Sequence, residues 1–283
     1  MRTDQPVQGD ADIAQIGALI GDPARARVLT ALTDGRALPA SRLAAEAGVA
    51  PSTVSEHLAR LLAAGLVTVR PEGRSRFYRL ASPEVADALE AISRISPPQP
   101  IRSLRQGSHA RALREARTCY NHLAGRLGVG LLAGLLDGGL LSGGDGRHHP
   151  ERAGADRLSA PGRDLAYRLT PHGEAALGEI GVDLDAVLAR QPAVRYCLDW
   201  SEQRHHLAGP LGTALADRLF ALGWVRRTDR RRVVRVTDSG RENLPGTLGL
   251  APDWDQPAPA GAGLPYLAQS ARAAAPLTNH LAK

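Results

Sequence analysis

The 283-residue sequence predicts a mainly α-helical chain with small β-hairpins, an α+β class, divided into two parts. Three observations carry that expectation. Apolar residues recur at helical spacing through most of residues 11–95, then switch to a period of two between Leu66 and Leu80. Residues 104–250 hold an internal repeat that makes the same switch twice. Between these parts Ser96-Pro97-Pro98-Gln99-Pro100 cannot continue a helix, because proline lacks the N–H and clashes with the preceding turn. Residues 96–103 therefore read as a linker.

Residues 1–10 show no apolar pattern and are expected to be disordered. Ile13, Ile16 and Ile20 then mark one face of a first helix. Asp22 is placed to cap the next, Pro23 takes its first position, and Val28, Leu29 and Leu32 form its buried face until Asp34-Gly35 closes it. Leu43, Ala44 and Ala47 give a short third helix, ended by Gly48 in the left-handed conformation that a missing Cβ permits. Pro51 opens a fourth, with Val54, Leu58, Leu61 and Leu62 inward and Gly65 as its stop. Leu66, Val67 and Val69 form a strand, and Phe77, Tyr78 and Leu80 a returning one, joined through Pro71-Glu72-Gly73. Ser82-Pro83-Glu84 restarts a helix with the stripe Val85, Leu89 and Ile92.

Helix–turn–helix followed by a β-hairpin is the order of a winged helix, whose second helix enters the major groove of DNA. The chemistry agrees. Ser52, Thr53, Ser55, Glu56, His57 and Arg60 form a polar face opposite Val54, Leu58 and Leu61. Their hydroxyls can meet phosphates or base edges, and Arg60 can meet guanine or a phosphate. In the hairpin Arg70, Arg74, Arg76 and Arg79 stand against the single acid Glu72, a cationic finger that suits the DNA backbone or the minor groove. A solvated helix face with a charged hairpin deterring edge aggregation does not account for the whole ordered set.

The segment resembles the ArsR family of winged-helix transcriptional regulators. The matching residues are Gly21-Asp22-Pro23-Ala24-Arg25, Leu43-Ala44, Ser52-Thr53-Val54-Ser55-Glu56-His57-Leu58 and Gly65-Leu66-Val67, within the first third of the chain. The resemblance implies a DNA-binding and dimerisation domain over 11–95 and a homodimer built from its first and last helices. It also implies a palindromic DNA operator and action as a repressor. One metal site frequent in that family is a cysteine pair before the recognition helix; here those positions hold Pro39 and Ser41. Another uses Asp and His on the last helix, where Glu84–Ile95 offers Asp87 and no histidine. Neither familiar site can form, so a small-molecule or metal effector is expected in residues 104–250.

Composition narrows the partners. A formal charge of +6 favours an acidic polymer, although the use of arginine almost throughout, with Lys283 the single lysine, most simply reflects genome bias. The amino terminus lacks the apolar core of a signal peptide, and the longest apolar stretch, Val129–Leu141, is short and broken by glycine. A cytoplasmic protein without a membrane span and with reduced thiols is expected. No dinucleotide, Walker, nucleophile-elbow or zinc-protease motif is present, which argues against an enzyme.

The repeat pairs His122-Leu123-Ala124-Gly125-Arg126-Leu127-Gly128 with His206-Leu207-Ala208-Gly209-Pro210-Leu211-Gly212, and Leu131, Leu135 and Gly139 with Leu215, Leu219 and Gly223. The copies cover about 119–180 and 203–250. Each runs helix, strand, basic turn, strand and a threonine-capped helix at Leu169-Thr170 or Val236-Thr237. That is again a winged-helix-like order. The first copy carries an insert from Ser142 to Pro161 with His148 and His149. Residues 251–283, rich in Pro, Ala and Gly, read as a disordered tail with a weak docking segment at Leu264–Leu267.

Within the repeat, Cys119 and His122 lie three apart on an expected helix and so share a face. Together with Cys197 and His206 they make a Cys2His2 set of the kind that suits zinc or a thiophilic ion, and a thiol-based metal or redox sensor is the alternative function. The spacing matches no short metal motif, and an ungapped repeat alignment sets Cys119 against Gln203 and Cys197 against Leu113. The competing reading is that both cysteines pack as small hydrophobes and both histidines satisfy core hydrogen bonds. Gly125, Gly128, Gly130 and Gly134 each cost the helix about 1 kcal/mol against alanine, which close packing or a ligand would offset. Trp200, Tyr120 and Tyr196 are candidates for an apolar pocket or for core, and Asp199 with Glu202 reads as a capping pair.

Overall fold

Capping residues set the helix starts. Asp22 accepts from the backbone N–H groups of Ala24 and Arg25 at 3.0 and 2.8 Å, fixing the start of α2 (Pro23–Leu32) behind α1 (Ile13–Ile20). The computed structural model describes residues 10–97, 100–101, 103–149 and 166–257. Expectations for residues 1–9, the tail beyond 257 with Leu264–Leu267, Pro98, Gln99 and Arg102 of the linker, and 150–161 of the insert lie outside these. The chain divides into two units, Met1–Val85 and Ala86–Lys283.

In the first unit β1 (Leu38–Pro39) leads into α3 (Ala40–Ala47), which ends at Gly48 with φ 67°. Next come α4 (Pro51–Ala63), β2 (Val67–Glu72) and β3 (Ser75–Leu80), in an antiparallel sheet of order β1-β3-β2. Val28, Leu29, Leu32, Leu43, Val54, Leu58, Leu61 and Leu80 are all buried, one apolar seam shared by three helices and the sheet. Two details differ from expectation. Glu72 pairs with Ser75, so Pro71 and Glu72 belong to the strand and the turn is Gly73-Arg74, with Gly73 at φ 59°. Strand β1 is too short to show a period.

The helix α5 (Pro83–Ile95) straddles the boundary between units, so the break falls ten residues before the expected linker, after Val85 rather than Ile95. The buried Glu90 carboxylate on it pairs with Arg232.

The second unit continues with α6 (Leu104–Glu115) and then two copies of one pattern. The first is the hairpin β4 (Arg117–Cys119) and β5 (His122–Ala124), α7 (Gly125–Asp137), β6 (Leu141–Ser142), β7 (Arg168–Leu169) and α8 (Pro171–Glu179). After α9 (Leu184–Leu188) the second is β8 (Arg195–Leu198) and β9 (His205–Ala208), α10 (Gly209–Ala221), β10 (Val225–Arg227), β11 (Val234–Val236) and α11 (Asp238–Leu248). Thr170 and Thr237 cap α8 and α11, accepting from Gly173 and Gly240 N–H at 3.0 and 3.1 Å.

The opening hairpins are the main correction. Cys119 and His122 do not share a helix; they face each other across a two-residue turn in which Tyr120 takes φ 54°. Cys197 faces His206 in the same way, so the cysteines are equivalent after all. The longer loop of the second hairpin defeats an ungapped alignment. The copies also clasp. Helix α7 packs on β9 and α10 on β5. Thr118 N–H donates to Arg232 O at 2.9 Å, and His205 N–H to Gly146 O at 3.0 Å, so each copy's basic turn binds the other's hairpin. Close packing accounts for the helix glycines: a Cβ on Gly134 would overlap the carbonyls of Leu248 and Gly249. Residues 251–257, expected in the tail, form a turn with Trp254 against the core.

Candidate nucleic-acid interface and buried Cys/His cluster

The amphipathic period of α4 sorts its residues. Val54, Leu58 and Leu61 face the core, which leaves Ser52, Ser55, Glu56 and Arg60 exposed along the opposite side. Thr53 and His57 are half-buried. The His57 side chain is only 14% exposed, with Nε2 4.0 Å from Asp22 Oδ1, so it is turned toward the capping carboxylate of α2. The Ser55 hydroxyl donates to Pro51 O at 2.9 Å. In the hairpin Arg70, Arg74, Arg76 and Arg79 are exposed, and Arg70 meets Glu72 at 2.9 Å. An exposed pair of that kind holds its partners only weakly, so the guanidinium remains available to a phosphate.

The second arrangement lies wholly within the second unit. Cys119, His122, Cys197 and His206 come together, all buried, with ligand atoms that lie within 4.8 Å of one another. The two imidazole rings lie 5.2 Å apart at 31°. No disulfide joins the cysteines. His122 Nδ1 is 3.3 Å from Asn121 Oδ1, while its Nε2 and both ring nitrogens of His206 are buried without a hydrogen-bond partner. Core hydrogen bonding therefore does not explain these histidines. The neighbouring Cys197, then His122 and His206, outweigh burial at Cys119 and hold its thiol well below the ordinary range.

Asp199 backs this cluster. Its Oδ2 accepts from Arg117 Nη2 at 2.8 Å and from Gly125 N–H at 2.7 Å, and lies 3.6 Å from His206 Nδ1. Burial opposes ionisation, yet the guanidinium of Arg117, then His206 and Ser201, hold the carboxyl well below the usual carboxylate range. Its other oxygen accepts from the N–H groups of Ser201 and Glu202 at 2.9 and 3.2 Å. The expected capping pair is thus a loop between β8 and β9, not a helix start. Trp200 lies under the Arg117 guanidinium at 4.6 Å, and Tyr196 is core. Sequence reasoning missed Arg117, whose burial beside Asp199 needs the hairpin to be seen.

Comparison with known proteins bears on both parts. A family model described as a helix-turn-helix domain matches residues 20–70. The HTH-type transcriptional regulator YdfF of Bacillus subtilis (strain 168) is 36% identical over 231 residues, 81% of this chain and 94% of that protein, so the match runs well beyond the winged helix. CmtR of Mycobacterium tuberculosis (strain ATCC 25618 / H37Rv) is 40% identical over 86 residues, 30% of this chain and 72% of its own length. Among solved structures, the cadmium metal-sensor CmtR of Mycobacterium tuberculosis is 38% identical, with 33% of this chain and 100% of that one covered at a TM-score of 0.26. Reduced HlyU of Vibrio cholerae N16961 is 29% identical, with 30% and 88% covered at a TM-score of 0.28. The chain belongs to the helix-turn-helix transcriptional regulators, with an ArsR-type winged helix as its DNA-binding module.

Proposed function

We propose that the protein is a homodimeric repressor that reads an imperfect palindrome and is controlled by an effector bound in its second unit. Helix α4 supplies direct readout through Ser52, Ser55, Glu56 and Arg60, with Thr53 and His57 at the margin of that face. Arg70, Arg74 and Arg76 grip the phosphate backbone. The observation that carries this reading is the exposed polar row on a helix whose other side is sealed by Val54, Leu58 and Leu61.

Dimerisation is supported by α1, which buries none of its residues and leaves Ile13 80% exposed, and by Ile92 and Ile95 on α5 at 38% and 57%. An exposed apolar helix face calls for a partner, and a two-fold axis would present two α4 helices to two half-sites. An effector need bias two dimer states by only about 1–3 kcal/mol to alter occupancy. No helix of the described residues is long and apolar enough to cross a membrane, and a cytoplasmic location is part of this reading.

The test is a titration of the operator, recovered by genomic footprinting, against scrambled DNA of equal length. Replacing Ser52, Ser55, Glu56 and Arg60 together by alanine should abolish the preference for the operator while weak, salt-sensitive binding persists. An unchanged preference would remove α4 as the reading element.

A further inference from the structure

We propose that Cys119, His122, Cys197 and His206 form a closed tetrahedral site for one thiophilic d10 divalent cation of the zinc class, which fastens the two repeat copies together. The site arises from the repeat itself. In each copy the histidine of the His-Leu-Ala-Gly-x-Leu-Gly motif stands opposite the cysteine of the same hairpin. The last glycine of the motif admits the other copy's histidine: a Cβ on Gly128 would meet His206 Cβ at 3.4 Å, and one on Gly212 would meet His122 Cβ at 3.4 Å. Two equivalent halves therefore deliver one Cys-His pair each to a common centre.

The donor set, burial and dimensions agree. Zinc bonds of about 2.3 Å to sulfur and 2.0–2.1 Å to nitrogen give tetrahedral edges of about 3.3–3.8 Å. The four atoms already lie within 4.8 Å of one another, so only a small contraction closes the shell. His122 Nε2 and His206 Nε2 are buried polar atoms without a hydrogen bond, a costly state that a metal bond relieves. Asp199 at 3.6 Å from His206 Nδ1 leaves Nε2 of that ring for the ion, the carboxylate–histidine–metal order found behind many zinc ligands. On binding, each thiol gives its proton to solvent as the sulfur–metal bond forms. Four protein ligands leave no open position, so the ion holds structure and carries out no reaction. The site stands independently of how α4 reads DNA.

The test uses the full-length protein purified without chelators. Elemental analysis after gel filtration should find one zinc per chain, and cobalt exchanged into the site should give the intense visible bands and sulfur charge transfer of a tetrahedral thiolate complex. Cys119→Ser, Cys197→Ser and their combination should weaken zinc binding by more than about 100-fold, since loss of an outer partner alone costs about 10–100-fold. A folded double variant that keeps one zinc would overturn the proposal. So would wild-type protein that binds less than a tenth of an equivalent, shows the pale spectrum of octahedral cobalt, or is isolated with a Cys119–Cys197 disulfide. Should the variants not fold, the wild-type zinc content and cobalt spectrum decide the matter alone.

Discussion

Arg60 and Arg117 carry the same guanidinium under opposite conditions. Arg60 is exposed at the C-terminal part of α4, where its charge costs nothing to hold and a guanine edge or phosphate can be met in two parallel bonds. Arg60→Ala should weaken operator binding by about 1–3 kcal/mol and relax the preference at one base pair if it reads a base; a uniform loss across all sequences would assign it to the backbone instead. Gel-shift titration against single-base operator variants distinguishes the two. Arg117 is 1% exposed and spends its charge on Asp199, at 0%. Arg117→Ala leaves that carboxylate buried without its cation, so the second unit should lose about 3–5 kcal/mol, read from the denaturant midpoint. A loss below about 1 kcal/mol would mean that the backbone N–H groups of Gly125, Ser201 and Glu202 suffice for Asp199.

Glycine has opposite meanings on different helices. Gly17 on α1 has open space around a would-be Cβ, whereas on α7 a Cβ at Gly134 would run into the turn after α11. Gly17→Ala should therefore stabilise by up to about 1 kcal/mol through helix propensity. Gly134→Ala should destabilise by about 1–3 kcal/mol, because overpacking outweighs the same propensity gain. Thermal unfolding of both variants checks the signs, and equal signs would contradict the packing account. At this scale most elements were legible: Asp22, Pro23, Pro51, Gly48 and Gly65 punctuate α2 to α4 by local chemistry that tertiary contacts leave intact. The hairpins β4–β5 and β8–β9 were not. A spacing of three puts Cys119 and His122 on one helix face, but it equally puts them opposite each other across a two-residue turn. Nothing local chooses between these, since the turn rests on Tyr120 at φ 54° rather than on a glycine.

For the whole molecule, the chain joins a DNA-reading unit to a unit built from two interlocked copies. The repeat was visible as sequence, and so were all four cluster residues. What sequence could not show is that the copies exchange contacts, each basic turn with the other's hairpin, which is what brings two distant Cys-His pairs to one place. The charge has its clearest consequence at this scale. Arg70, Arg74 and Arg76, if they neutralise three phosphates per subunit, add about 0.9 each to the slope of log affinity against log salt. Replacing all three by alanine should flatten that slope by about 3 per subunit with little change in which sequence is preferred. A changed preference with an unchanged slope would move the wing from backbone grip to base reading.

The most direct measurement is the ratio of operator to scrambled-DNA affinity at two salt concentrations, for wild-type protein and for the variant with Ser52, Ser55, Glu56 and Arg60 replaced by alanine. A polar face that reads bases predicts a ratio falling to near unity in the variant, with the salt slope of the arginine wing retained. A ratio that stays at the wild-type value, in a variant that folds and still binds DNA, would contradict it.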